Sequence, residues 1–117
     1  MTINRQLEAR MRQATRFFYM LKDPLRFRIL LALVRAGEMT VTDVVRAVRV
    51  SQPLVSWHLG RLRLTGLVRA RRDGREVRYS ADMDVIDRHC DDFRALLAEA
   101  AQDAQAKKAV SLPNSKQ

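Results

Sequence analysis

The chain has 117 residues, with 22 Lys and Arg against 13 Asp and Glu, for a formal net charge of +9. That length fits one small domain with one core and leaves too little chain for a large substrate cleft or a second lobe. A single cysteine excludes an internal disulfide or a CxxC zinc clip. The longest apolar run, Ile29 to Val34, is far short of the roughly 18 residues that span a bilayer.

Arg5, Glu8, Arg10 and Arg12 interrupt any signal-like start, so the expectation is a cytoplasmic protein with no membrane partner. The charge is unevenly spread. Residues 1–81 hold 17 basic and 6 acidic side chains, whereas residues 82–117 hold 5 and 7. Between Arg46 and Arg78, nine arginines face only Asp73 and Glu76. Guanidinium forks match phosphate and guanine, which favours a polyanionic partner over an acidic small molecule; a solvated basic surface is the plainer alternative.

In chain order, Ile3, Leu7, Met11, Ala14, Phe18 and Leu21 step by three and four, which predicts a helix with one seam-like apolar face. Asp23 before Pro24 reads as an N-cap with proline in the first turn. Leu25, Ile29, Leu30 and Leu33 carry a second, central helix to Gly37. Thr42 is the expected cap of a short third helix through Val44, Val45 and Val48. Ser51 caps a fourth helix from Gln52 to about Leu64, with Gly66 beyond its end. The pattern then alternates on both sides of Asp73-Gly74, which signals a hairpin turn. Asp82 caps a last helix whose apolar positions, Met83, Ile86, Cys90, Phe93, Leu97, Ala100 and Ala104, form a second seam. From about Ala106 the period is lost, which predicts one domain over residues 1–105 and a flexible tail over 106–117.

The expected fold is mainly α with a small β-hairpin wing, a winged helix-turn-helix whose first and last helices each carry an apolar seam. In that frame Val55, Leu59 and Leu62 face Val44, Val45 and Val48, and the opposite side of the fourth helix is offered to double-stranded DNA. Gln52 suits a bidentate contact with adenine, Ser56 suits any base edge, and Pro53 or Trp57 can cover a thymine methyl. Arg61 and Arg63 are assigned to phosphate, together with the backbone amides that follow Ser51. Arg71, Arg72 and Arg75 around the hairpin tip complete the expected DNA contacts. A charged edge hairpin guarded against aggregation is the bland alternative for this wing.

From Asp23 to Tyr79 the chain resembles the ArsR/SmtB family of bacterial winged-helix repressors. The resemblance rests on Asp23-Pro24-Leu25-Arg26, Thr42-Asp43, Ser51-Gln52-Pro53, Val55-Ser56, His58-Leu59, Leu62, Gly66-Leu67-Val68, Arg71-Arg72, Gly74-Arg75 and Tyr79. It implies a homodimer dimerising through its first and last helices, in agreement with the two seams, on an imperfect inverted-repeat operator and repressing until an inducer lowers affinity. The pattern also departs from the family. Where thiophilic-metal sensors carry a CxC pair, this chain has Thr40 and Thr42. Where zinc-type sensors carry D-x-H and H-x-x-E, the positions near Met83, Val85, Leu96 and Glu99 lack both histidines. Gly60 stands where a basic residue is common, and Trp57 where a polar one is.

Asp87, His89, Cys90, Asp91 and Asp92 form the densest run of ligand-type residues, and Asp87, His89, Cys90 and Asp91 are the candidate metal ligands, suited to nickel, zinc or cobalt if ligands come from both chains of a dimer or from the first helix. Against that reading, Cys90 is a small apolar seam residue and the aspartates suit an acidic helix start. Leu7, Met11, Phe18, Ile86, Cys90, Phe93 and Leu97 are the expected dimer interface. His58 is read as a packing or DNA-proximal histidine. Four scattered glycines make no phosphate loop and no Ser/His/Asp or Cys/His set falls on strand ends or in a rigid pocket, so an enzyme is not expected. The function expected is a repressor, with a divalent metal as a candidate effector. The alternatives are a winged-helix protein working through a co-regulator protein, an architectural DNA binder, or a Cys90 redox sensor.

Overall fold

A computed structural model describes residues 4–115. Its order is α1 (Arg5–Leu21), α2 (Pro24–Ala36), α3 (Val41–Val48), α4 (Gln52–Leu64), β1 (Val68–Asp73), β2 (Glu76–Ala81) and α5 (Met83–Ser115). Ile3, expected on the first seam, lies outside the described residues.

Local chemistry sets each boundary. Asn4 caps α1 by accepting from the Leu7 N–H at 2.8 Å, and the Asp23 carboxylate accepts from Leu25 and Arg26 at the start of α2. Gly37, at φ +89°, stops α2 in a backbone region that L side chains rarely adopt. The cap of α3 is Thr40 rather than Thr42. Thr40 Oγ1 accepts from the Asp43 N–H while the Asp43 carboxylate accepts from the Thr40 N–H, a reciprocal capping box that leaves Thr42 inside the first turn. Arg49, left-handed at φ 59°, turns the chain sharply into α4.

The hairpin pairs antiparallel from Val68 opposite Ala81 to Asp73 opposite Glu76. Its two-residue turn is therefore Gly74-Arg75, one residue later than Asp73-Gly74. Only Gly74 needs positive φ, as in a turn with glycine at the first central position, so Arg75 stands at the tip. Met39 adds a third, one-residue rung: its N–H donates to the Tyr79 carbonyl and the Tyr79 N–H donates back, at 3.0 and 2.8 Å.

Ile29, Leu33, Val44, Val55, Leu59, Leu62, Leu67 and Val68 are fully buried where α2, α3, α4 and the wing base meet. Removing such side chains from water is the main stabilising term, about 1.5–3 kcal/mol for each large one. On α1 two faces separate. Phe17 and Met20 enter this core, whereas Phe18 stays 43% exposed beside α5. Helix α5 continues past Ala106, where the apolar period ends and a frayed tail was expected. Among the described residues, no helix is long and apolar enough to cross a membrane.

Candidate nucleic-acid interface

Helix α4 is fixed by its inner side. Val55, Leu59 and Leu62 are buried, so the helix cannot turn about its axis without exposing them. The outer side then presents Gln52, Pro53, Ser56, Trp57, Arg61 and Arg63, all exposed. Ser51 occupies the N-cap position with extended backbone, yet its side chain makes no cap hydrogen bond, which leaves its hydroxyl and the first-turn amides turned outward. Ser56, Trp57, Gly60, Arg61, Arg63 and Leu64 line an open concavity of about 750 Å³. A Cβ added at Gly60 would meet nothing within 4 Å, so glycine here leaves free space beside Trp57 rather than relieving a clash.

The wing arginines divide by partner. Arg71 is not at liberty at the tip: its Nε and Nη2 donate to the two carboxylate oxygens of Glu38 at 3.1 and 2.8 Å. That hydrogen bond holds the Glu38 carboxyl below its ordinary range. Arg78 donates to Asp73 and Glu76, and Arg69 lies 3.5 Å from Asp82. Arg72 and Arg75 are exposed and make no ion pair among the described residues, so they are the wing charges directed at solvent.

Behind α4 lies a polar contact that the periodicity did not assign. Arg26 Nε donates to His58 Nδ1 at 3.1 Å, and both residues are buried. Burial pushes the His58 pKa down, with the Arg26 charge adding to the effect and the Asp23 carboxylate opposing it. The sequence did carry a signal: Arg26 stands in phase with Ile29, Leu30 and Leu33, an arginine on an otherwise apolar face.

The candidate metal residues do not converge within one chain. His89 stacks on Phe17, ring centroids 4.7 Å apart and 12° between planes. Cys90 is half-buried against the core, and the Asp91 carboxylate accepts from Arg94 at 3.4 Å. Asp87 points to solvent, and among the described residues no three His, Cys, Asp or Glu side chains gather closely enough to hold an ion. The set therefore does not fit a metal in a single protomer.

Of the residues expected at a dimer interface, Leu7, Met11, Phe18, Phe93 and Leu97 line an apolar groove of about 320 Å³ between α1 and α5. Ile86 and Cys90 instead sit half-buried on the protomer's own core. The rings of Phe18 and Phe93 meet edge-on at 4.8 Å, and Arg10 clamps Glu99 through two bonds of 2.9 and 2.7 Å.

A short helix, a tight turn, a second helix with an exposed polar side and a basic hairpin define a winged helix-turn-helix protein. Residues 23–70 match the family described as bacterial regulatory protein, arsR family. The chain is 48% identical over 65 residues to a probable mercury resistance operon repressor of Streptomyces lividans, an alignment covering 56% of this chain and 51% of that one. Its fold is similar to an ArsR-like transcriptional regulator from Rhodococcus, with TM-score 0.76, 27% identity and coverage of 86% and 94% of the two chains. It is also similar to a homodimeric winged helix-turn-helix DNA-binding domain from Mycobacterium bovis, with TM-score 0.65, 26% identity and coverage of 88% and 90%. The chain belongs to the ArsR family. It spans about half the length of the curated relatives it matches.

Proposed function

We propose that this chain is the DNA-binding and dimerising core of a transcriptional repressor that sits as a homodimer on an imperfect inverted repeat. Each α4 enters a major groove, and successive half-sites lie about 34 Å apart. The observation that carries the reading is the two-sidedness of α4. Val55, Leu59 and Leu62 are locked into the core while Gln52, Ser56 and Trp57 project together, with Arg61, Arg63, Arg72 and Arg75 flanking them. Gln52 and Ser56 read base edges, Pro53 and Trp57 cover apolar base surface, and Ser51 with the arginines holds phosphate.

Dimerisation through α1 and α5 follows from the exposed groove between them, where Phe18 is 43% and Leu97 57% exposed. Large apolar side chains grouped in this way call for a covering surface. The homodimeric Mycobacterium bovis domain supports a second copy as that cover.

The mercury-resistance relative suggests release by a metal. In this chain such a site needs donors from two protomers, because Asp87, His89, Cys90 and Asp91 do not meet in one. A co-regulator protein or oxidation of Cys90 are the other routes for a signal.

The test is fluorescence anisotropy on duplexes selected from a random library, with chelator, then nickel, zinc or cobalt, then oxidant. A preference of about a thousandfold for one inverted repeat over a scrambled duplex supports the repressor, and equal affinity for both contradicts it. A tenfold change on adding one metal or the oxidant assigns the effector. Unchanged affinity throughout transfers sensing to a partner.

A further inference from the structure

Arg26, at 6% exposure, is the one buried arginine among the described residues, and it makes no carboxylate ion pair. Groups from α1 and α4 satisfy it instead. Nη1 donates to the Met20 carbonyl at 3.2 Å and meets Met20 Sδ at 3.0 Å, at the end of α1. Nε donates to His58 Nδ1 in the middle of α4, and the guanidinium carbon lies 5.6 Å from the centroid of the Trp57 ring.

An apolar side chain would fill this space without desolvating a charge, so what arginine adds is direction. The guanidinium is planar and keeps its protons, so Nε always donates and His58 must present an unprotonated Nδ1, its proton on Nε2. Three groups then restrain Trp57, although it is 55% exposed. They are Arg26, Arg61 at 5.5 Å from the ring centroid, and the His58 ring, edge-on at 5.0 Å.

We propose that Arg26 is a positioning residue for DNA recognition: through His58 and its own contact with Trp57 it holds the indole in the orientation that covers apolar base surface. This rests on the DNA-binding reading and deepens it. Arg26 itself is too buried to touch DNA, so its contribution to sequence discrimination passes entirely through Trp57. Restraining the ring before binding removes the cost of ordering it at the interface. The charged groups facing His58 are Arg26 of α2 and Asp23, the cap of that helix, while Met20 of α1 is uncharged. A proton on Nδ1 would remove the acceptor and set a second cation against Arg26.

Trp57 is the only tryptophan in the chain, so its fluorescence reads the restraint without a label. The full chain, Arg26→Lys, His58→Gln, Trp57→Ala and the Arg26→Lys/Trp57→Ala pair are compared on the library-selected duplex and a scrambled one, with the anisotropy decay of Trp57 recorded without DNA. Arg26→Lys is expected to enlarge the fast local component of the decay and to lower discrimination tenfold or more, with scrambled-duplex affinity held within twofold. His58→Gln keeps an acceptor for Nε but loses the ring that meets Trp57 edge-on, and is expected to fall between the full chain and Arg26→Lys in both properties. In the Trp57→Ala background, Arg26→Lys is expected to cost no further discrimination.

An unchanged decay in Arg26→Lys, or a loss that adds in full to Trp57→Ala, overturns the proposal. If Arg26→Lys does not fold, the decay of His58→Ala decides. A larger fast component in His58→Ala, which has no acceptor for Nε, than in His58→Gln, which has one, supports the proposal, and equal components overturn it. Failure to select any preferred duplex overturns the DNA-binding reading and this proposal with it, whereas clean selection with an indifferent Arg26→Lys overturns this proposal alone.

Discussion

Arg71 grips Glu38 with two parallel hydrogen bonds, tying the first strand of the wing to the loop that leads into α3. One residue on, Met39 and Tyr79 exchange backbone hydrogen bonds. The wing base is thus held to the body by one ion pair and one rung of sheet. Its tip carries the charges that remain directed outward.

Glu38→Gln removes the acid but keeps an amide that Arg71 can leave. Its expected effect is stronger binding to all duplexes and a salt dependence of log K steeper by about one phosphate contact. Arg72→Ala and Arg75→Ala are expected to act in the opposite sense, each flattening the slope by about one. Salt titrations of the three variants on a scrambled duplex check this. A Glu38→Gln slope equal to wild type would mean that Arg71 stays on the wing base.

Thr40→Ala is expected to destabilise the fold by about 1 kcal/mol, because it removes the Oγ1 that accepts from the Asp43 N–H and leaves only the backbone half of the capping box, while Thr42→Ala changes stability by a few tenths of a kcal/mol. Urea unfolding at one fixed protein concentration compares them. Equal losses would return the cap to Thr42.

Much of this architecture was legible because it rests on local rules. Asp23 with Pro24 fixes a helix start, Val44, Val48, Val55, Leu59 and Leu62 repeat at helical spacing, and the two strands turn within one residue of Asp73-Gly74. Relationships between residues distant in the chain were not legible. Nothing in periodicity pairs Arg71 with Glu38, 33 positions away, or Arg26 with His58, 32 positions away. For α1 the period showed an apolar face but could not separate Phe17, which enters the core, from its neighbour Phe18, which does not. The cap slipped from Thr40 to Thr42 because both are threonines, and only the carboxylate at Asp43 decides between them. In the candidate metal run, proximity in sequence did not become proximity in space, because His89 turns onto Phe17.

Burial holds the His58 pKa below that of the unfolded chain, about 6.5, so the unfolded state takes up a proton first as pH falls. Stability is therefore full above that unfolded value and declines as pH drops from it toward the folded pKa. Thermal melts between pH 7.5 and 5.0 are expected to show a falling Tm. His58→Gln should flatten that part of the fall, and an identical pH profile for the variant would contradict the assignment.

Phe93→Asp or Leu97→Asp places a charge in the groove between α1 and α5. Either is expected to give monomers in sedimentation equilibrium with helical content retained, and to weaken operator binding at least a hundredfold. A variant that stays dimeric would put the interface elsewhere.

The central claim is that the outer side of α4 reads sequence. The most direct measurement is the affinity of wild type and Gln52→Ala for the selected duplex and for each of its single-base variants. The expected result is a loss of about 1–3 kcal/mol that disappears on duplexes already altered at one particular base pair. A loss of equal size on every duplex would show that Gln52 only holds the backbone, and would contradict the assignment of α4 as the reading helix.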